Sequence, residues 1–324
     1  MLTTEVRVDH ESAAAEAAGL ARRAARRLGL AAPLAERAAV AASELASNID
    51  KHTRGGSVFV QRAPGGGLDL LAADHGPGMA DVARCLTDGY STAGTLGGGL
   101  GAVRRLASAF AVFSAPAHGT AIAARFRDEA ALDLSRLEAG AVCLPANGHQ
   151  ESGDAYELAG GTLLVVDGLG HGAEAARASA SALDAFRADP EAPLTELIVR
   201  LDRALRSSRG AAASLVRLRA AGVEFCGVGN VGGAVLHDGR PLARLVPRPG
   251  TLGVRAGGPV AQTAPMPPGA TVVLHTDGIS HSWLTTSGTW LFTQPPPLLA
   301  ALLARDHRRL RDDATAVALR DRRS

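Results

Sequence analysis

The chain has 324 residues, enough for two domains that each bury a core of their own, and a formal net charge of only +2. So small a charge, together with 3% aromatic residues, speaks against nucleic acid as the main partner, because there is neither a basic field nor a stacking platform for bases. Lys51 is the only lysine, so the Gly-Lys-Ser/Thr tripeptide of a Walker A phosphate loop is excluded. The opening residues, Met-Leu-Thr-Thr-Glu-Val-Arg-Val-Asp-His, carry charge where a signal peptide would be apolar. No apolar run approaches the roughly 18 residues of a membrane span, and a soluble, cytoplasmic protein is expected.

Ala17, Leu20, Ala21, Ala24 and Leu28 recur at helical spacing, with Arg22, Arg23, Arg26 and Arg27 mostly off that face as a solvated surface. Gly29 ends this helix, and Pro33 suits the first turn of a second one running to about Asn48. Glu44 and Asn48, four apart, share a face of it. Such a polar pair is most often a helix's wet side, but the surrounding alanines and Leu45 indicate a packed helix. Lys51 and His52, just beyond, read equally as phosphate contacts or as a C-terminal cap. Alternating runs over 57–63 and 68–73, joined by Pro-Gly-Gly-Gly, predict a hairpin. It delivers Asp74-His75-Gly76-Pro77-Gly78. Cys85, Cys143 and Cys226 are odd in number and far apart, with no Cys-x-x-Cys pair and no arginine six residues after any of them. A disulfide framework, a zinc site and a cysteine-based phosphatase are thereby set aside, and a reducing compartment fits. A glycine-rich stretch, Gly-Tyr-Ser-Thr-Ala-Gly-Thr-Leu-Gly-Gly-Gly-Leu-Gly, then feeds a helix predicted over 102–107, and free N–H groups at a helix start suit an anion.

These elements together resemble the GHKL-type (Bergerat) ATP-binding fold of anti-sigma-factor serine kinases, nearest in style to the RsbT-like switch kinases. The resemblance implies that Asn48 holds Mg²⁺ and that Glu44 acts as base or orients the acceptor hydroxyl. It implies further that Asp74 accepts from the adenine amino group with Gly76 and Gly78 giving the ring room, that Gly97, Gly99 and Gly101 wrap the phosphates, and that Thr120 supports the adenine pocket.

The join over 128–136 is short and not Pro/Ser-rich, so the two halves are expected close together. In the second half, Val165-Val-Asp-Gly-Leu-Gly-His-Gly172 reads as a strand opening into a glycine-rich turn. Asp154, Asp167, Asp277 and the pair Asp312–Asp313 each begin or follow a strand-like run, and carboxylates at converging strand ends suit hard divalent cations. Helices are predicted over 173–187 and 193–206, strands over 214–219, 223–227 and 232–236, a last helix after Pro295–Pro297, and a closing strand over 314–319. Asn230 and His275 are exposed-looking polar residues without an assigned role.

The order Gly-Asp, Asp-Gly-x-Gly-His-Gly, Asp-Gly-Ile, Asp-Asp-x-Thr resembles the PPM-type metal-dependent serine/threonine phosphatases of the SpoIIE-like branch. Ser152, where a second glycine is commoner, is in keeping with its RsbX-like members. The resemblance implies two Mn²⁺ or Mg²⁺ ions bridged by Asp167 and the carbonyl of Gly168, with Asp277 and Asp312 holding one ion. Asp154 would act partly through water and Asp313 from behind the ligands, and an activated water would attack phosphoserine or phosphothreonine. His171 would stabilise the turn or contact the leaving group.

The expected fold class is α/β (α+β) with two domains: a Bergerat-fold α/β sandwich over 1–130 and a PPM-type α-β-β-α sandwich over 131–324. The expected function is a bifunctional kinase and phosphatase of a bacterial partner-switching pathway. Its implied partners are STAS-domain antagonist or scaffold proteins and, beyond them, a sigma factor or downstream phosphatase, with no nucleic acid and no membrane. One rival makes the ATP-binding half an anti-sigma or docking module. A second, a sensor histidine-kinase core, lacks a phosphoacceptor His box.

Overall fold

The computed structural model describes residues 2–53, 55–86, 99–128, 137–220 and 222–322. The chain divides into two compact units, Thr3–Leu134 and Ser135–Ser324, the latter with Met1–Leu2.

The first unit runs β1 (Thr4–Val8), α1 (Ala13–Arg27), α2 (Ala32–His52), β2 (Gly56–Arg62), β3 (Leu68–Asp74), α3 (Val82–Cys85), α4 (Gly99–Leu106), β4 (Ala109–Ala115) and β5 (Gly119–Phe126). Its five strands form one antiparallel sheet in the order β1-β2-β3-β5-β4. Alanines at four-residue spacing (Ala13, Ala17, Ala21, Ala25) let α1 approach α2 closely, and both helices bury against Val58, Val60, Leu70 and Ala72 of the sheet. Gly29, at φ +75°, closes α1: its N–H donates to Arg26 O and that of Leu30 to Ala25 O, the paired bonds of a Schellman motif. Helix α2 passes the expected end near Asn48 and continues to His52, so Lys51 and His52 lie in its last turn, where their charge favours the helix dipole. The hairpin turn forms as expected, with Ala63 N–H donating to Gly67 O; a side chain at Gly67 would start 2.5 Å from Phe126 O.

The second unit continues with β6 (Leu137–Leu144), β7 (Asp154–Ala159), β8 (Thr162–Gly168), α5 (Ala173–Arg187), α6 (Leu194–Leu205), β9 (Ala211–Arg219), β10 (Gly222–Val228), β11 (Gly232–His237) and β12 (Arg240–Leu245). The short β13 (Gly250–Thr251), β14 (Arg255–Ala256) and β15 (Gln262–Ala264) follow, then β16 (Thr271–His275), α7 (Trp283–Thr286), α8 (Thr289–Phe292), α9 (Pro296–His307) and β17 (Ala314–Asp321). Two five-stranded sheets, β15-β10-β9-β8-β7 and β12-β11-β16-β17-β6, face each other. Strand β8 shows why. Its Leu163 and Val165 join Val216, Phe225, Val272 and Val317 in the core between the sheets. Its Leu164 and Val166 pack outward under Phe186, Leu197 and Leu201 of α5 and α6. A strand buried on both faces reads as an unbroken apolar run rather than an alternation. On the far side α9 lies over β6, where a side chain at Gly140 would meet the Pro296 backbone at 2.3 Å. The result is the expected α-β-β-α sandwich. The last strand is not at an edge; β17 pairs with β16 on one side and β6 on the other. Among the described residues no helix is long and apolar enough to cross a membrane.

Helix α2 offers a direct check of this packing. Leu45 is fully buried and Val40, on the same helix, is 51% exposed. Leu45→Ala should destabilise the first unit by about 2–5 kcal/mol, and Val40→Ala should stay within about 0.5 kcal/mol of the parent, as read by chemical denaturation.

Candidate active sites

In the first unit, the end of β3 sets Asp74 opposite Thr120 of β5. Asp74 is only 7% exposed, and its Oδ1 accepts from the N–H of Gly76 at 2.7 Å, which folds the chain back sharply after the strand. The two glycines of this turn have separate reasons. A side chain at Gly76 would begin 2.6 Å from Thr53 Cγ2, and one at Gly78, with φ +74°, would begin 2.1 Å from Ala115 O. Ser114 of β4 ties this turn to β5: its Oγ accepts from Met79 N–H at 2.8 Å and lies 2.8 Å from Thr120 Oγ1. Sequence reasoning missed Ser114, whose only signal was its place on a strand flanking Thr120. Glu44 and Asn48 are half-buried on α2, not on a fully wet face. The end of that helix reaches Asp74 by way of Gly56, where a side chain would stand 2.9 Å from Asp74 Cβ and 3.0 Å from Ile49 Cγ2. Gly97 lies outside the described residues. Gly99 and Gly101 do not form a loop ahead of a helix at 102: they belong to the first turn of α4, because Leu100 and Val103 already bury against the core there.

In the second unit, four strand ends bring carboxylates together from both sheets. Asp154 and Asp167 are direct cross-strand partners on β7 and β8. Asp277 follows β16, and Asp312 and Asp313 precede β17. The Thr276 hydroxyl donates to Asp154 Oδ2 at 2.6 Å and accepts from Thr315 N–H at 3.0 Å, joining the sheets at this point. Asp313 is a clasp: its two oxygens accept from the N–H groups of Ala146 (2.8 Å) and Gly153 (2.7 Å). Packing here leaves no room for side chains, since one at Gly278 would begin 1.9 Å from Asp313 O and one at Gly168 would begin 2.4 Å from Ala175 O. Ser152 Oγ accepts from Asp154 N–H at 3.1 Å, so the residue departing from the commoner glycine shapes the strand entry.

Like charges at this spacing are costly. Burial, then the charge of Asp167, holds the Asp154 carboxyl well above the usual carboxylate range. Burial, then Asp277 and Asp312, pushes Asp167 up to about 7. Asp312 is raised by burial and by Asp277, and His171 opposes that rise. Asn230, left without a role by the sequence, offsets part of the repulsion: its amide donates to Asp277 Oδ2 at 2.7 Å and a hydrogen bond from it lowers Asp167. His275 is not the exposed residue expected. It is fully buried, with Nδ1 2.9 Å from Thr276 O, because β16 runs through the core and ends at His275, two residues before Asp277.

None of Asp154, Asp167, Asp277, Asp312 and Asp313 makes an ion pair with a basic side chain among the described residues. The side chains are also not drawn into a closed cage, for no three His, Cys, Asp or Glu among the described residues stand in a metal-binding arrangement. Their chemistry fits a hard divalent cation all the same: the donors are all oxygen, and burial beside like charges raises the Asp154 and Asp167 carboxyls, a cost that a bound cation would offset.

Two measurements follow from this geometry. Gly78→Ala should lower the stability of the first unit by about 1–3 kcal/mol in chemical denaturation, because the added carbon would begin 2.1 Å from Ala115 O and the backbone stands at φ +74°. With chelator present, Asp167→Asn should raise the melting temperature by roughly 5 °C. The sign is set by the raised pKa: ionising Asp167 costs the folded state more as pH climbs from the ordinary carboxylate range to about 7, so the gain should be larger at pH 8 than at pH 5.

Comparison with known proteins bears on both units. The family described as Stage II sporulation protein E (SpoIIE) matches residues 160–322, and the Histidine kinase-like ATPase domain matches residues 6–126. The Serine/threonine-protein kinase RsbT of Bacillus subtilis (strain 168) is 37% identical over 108 residues, which are 32% of this chain and 81% of that protein. A solved structure described as "The bacterial stressosome: a modular system that has been adapted to control secondary messenger signaling" superposes with a TM-score of 0.51 at 26% identity, covering 57% of this chain and 100% of its own. RsbX in complex with magnesium superposes with a TM-score of 0.48 at 22% identity, covering 56% of this chain and 94% of its own. With the α-β-β-α sandwich and its acidic strand ends on one side and the helix-backed antiparallel sheet on the other, the chain belongs to the SpoIIE phosphatase family through its second half and to the RsbT-like, histidine kinase-like ATPases through its first.

Proposed function

We propose that the chain is a bifunctional regulator of a bacterial partner-switching pathway. Residues 1–130 are an ATP-dependent protein serine/threonine kinase, and residues 131–324 a metal-dependent phosphoserine and phosphothreonine phosphatase. Both act on a STAS-domain antagonist or scaffold protein, upstream of a sigma factor or a further phosphatase. The observation that carries this reading is the crowding of Asp154, Asp167, Asp277 and Asp312 at the ends of two sheets, without a basic ion-pair partner among the described residues. The likeness of the other half to the serine/threonine-protein kinase RsbT supports the kinase assignment.

In the kinase half ATP is the phosphoryl donor. Asp74, already braced by Gly76 N–H, accepts from the adenine amino group, and Gly76 and Gly78 leave space for the ring. Thr120 holds the pocket edge through Ser114. Glu44 orients or deprotonates the acceptor hydroxyl from α2, one turn before Asn48, and by the likeness to the ATP-binding fold Gly97, Gly99 and Gly101 would wrap the phosphates. Mg²⁺ held by Asn48 would neutralise phosphate charge.

In the phosphatase half, two Mn²⁺ or Mg²⁺ ions held by Asp154, Asp167, the carbonyl of Gly168, Asp277 and Asp312 would supply Lewis acidity and acidify a water. The protein's own groups hold that set in place. Thr276 orients Asp154, Asn230 orients Asp277, and Asp313 locks the β6–β7 loop beneath them.

The phosphorylated fraction of a cognate STAS protein, read by intact mass with ATP and Mn²⁺ present, tests the proposal. Asp167→Asn should drive the substrate to full phosphorylation, Glu44→Ala should strip phosphate added beforehand, and the parent should settle between them. If both variants match the parent, the halves do not share a target, and the first half is a docking or nucleotide-sensing module.

A further inference from the structure

The acidic centre poses a problem for the substrate that the proposed phosphatase reading requires. A phosphoryl group arrives as a dianion, and divalent cations held by Asp154, Asp167, Asp277 and Asp312 would offset the charge of those carboxylates without fixing how the phosphoryl oxygens are turned. A guanidinium at the rim would supply that directed contact, and one stands there. After α6 the chain turns through Ser208-Arg209-Gly210 before entering β9. This turn is pinned to the acidic one, since Leu169 N–H donates to Gly210 O at 3.0 Å. It is also braced internally: Ser208 Oγ donates to Leu205 O at 2.7 Å and accepts from Gly210 N–H at 3.0 Å. Gly210 sits at φ +90°, and a side chain on it would begin 2.6 Å from Leu252 O, so the turn in this form requires glycine.

The Arg209 side chain leaves this fixed base and crosses the glycine turn that follows Asp167. A Cβ built on Gly170 would lie 3.6 Å from Arg209 Nη1, in ordinary contact distance, which places the guanidinium directly over that turn. Its Nη2 ion-pairs with Glu174 Oε2 in the first turn of α5, which tethers the group beside the centre. The pair is open to water, with the side chains 59% and 51% exposed, so it is weak and readily exchanged. A phosphoryl group offers a guanidinium the paired oxygens it binds best, through charge-assisted bonds stronger than that exposed pair.

Other polar groups near the centre fit the role less well. His149 and His171 stand with ring centroids 4.7 Å apart and planes tilted by 59°, and an imidazole carries a full charge only when protonated, whereas a guanidinium always does. Arg309 and Arg311, beside Asp312, hold no hydrogen bond or ion pair through their guanidinium groups among the described residues, so nothing fixes them toward the site.

We propose that Arg209 is the phosphate-binding residue of the second unit. It is parked on Glu174 in the free protein and transfers to the phosphoryl oxygens of a phosphoserine or phosphothreonine substrate as that group enters over Gly170. The inference rests on the phosphatase reading for its chemistry, and on the pinned turn and the Glu174 tether for its geometry.

The test uses the full chain with Mn²⁺ and p-nitrophenyl phosphate as substrate, inorganic phosphate as competing product, and calorimetric titration of inorganic phosphate in parallel. Arg209→Ala should raise KM and the phosphate inhibition constant together by about tenfold, with kcat and the Mn²⁺ activation midpoint little changed. Arg209→Lys should recover only part of the loss, because a point charge cannot make the paired contact. Glu174→Gln should lower KM by freeing the guanidinium, and Arg311→Ala should leave KM where it was. Equal KM and equal phosphate inhibition in the parent and Arg209→Ala would overturn the proposal and leave the phosphatase reading standing. If the parent turns over no substrate, the phosphatase reading fails, and calorimetry decides alone: phosphate binding lost in Arg209→Ala upholds the assignment, while equal or absent binding overturns it.

Discussion

Everything in the second unit converges on the clasp made by Asp313. One carboxylate, 3% exposed, accepts from the backbone N–H groups of Ala146 and Gly153 and so ties the start of β17 to the loop between β6 and β7. Thr276 does the same one step further in, joining the end of β16 to Asp154 and to Thr315. These bonds hold the two sheets in register at the end where Asp154, Asp167, Asp277 and Asp312 gather. Without them, the mutual repulsion recorded in the raised carboxyl groups of Asp154 and Asp167 would favour splaying the strand ends apart. The site is thus held against its own electrostatics by buried hydrogen bonds and by the apolar core behind it, as expected where function demands unfavourable charge.

Glycine does a second job at both sites, and it is steric. At Gly278 and Gly168 the absence of a side chain lets backbone lie on backbone, against Asp313 and Ala175. At Gly78 it lets the chain after Asp74 fold onto β4 near Ala115. At Gly170 the reason is conformational instead: φ +89° is a backbone geometry that residues with side chains rarely adopt, and it shapes the turn over which Arg209 lies. A single residue type therefore sets how close strands, helices and side chains come to the chemistry.

The fold was largely legible in the residues, element by element. The alanine spacing of α1, the Gly29 stop, the Pro-Gly-Gly-Gly hairpin and the Leu-Leu-Val-Val run of β8 each carry a local rule that the structure obeys. The misses were boundaries and neighbours. Helix α2 runs on through Lys51 and His52, and α4 begins at Gly99, because burial of Ile49 and Leu100 against the core outweighs the local stop signal and the glycine content. Ser114, Asn230 and Arg209 were assigned no role, since a hydroxyl on a strand, an amide in a turn and an arginine after a helix carry no periodicity or motif of their own.

By itself, then, the sequence determined which residues carry charge and flexibility, and in what order: Asp154, Asp167, Asp277 and Asp312–Asp313 in one half, Glu44, Asn48, Asp74 and the glycines in the other. Order along the chain is enough to name such motifs because each sits at a strand end or helix face that local pattern reveals. Tertiary structure alone decided which groups meet. The cross-strand pairing of Asp154 with Asp167, the amide of Asn230 on Asp277, the burial of His275 and the reach of Arg209 to Glu174 all join residues distant in the chain or on separate elements. Such meetings depend on sheet register and on the packing of two sheets face to face, and these are properties of the assembled core that no local stretch of sequence encodes.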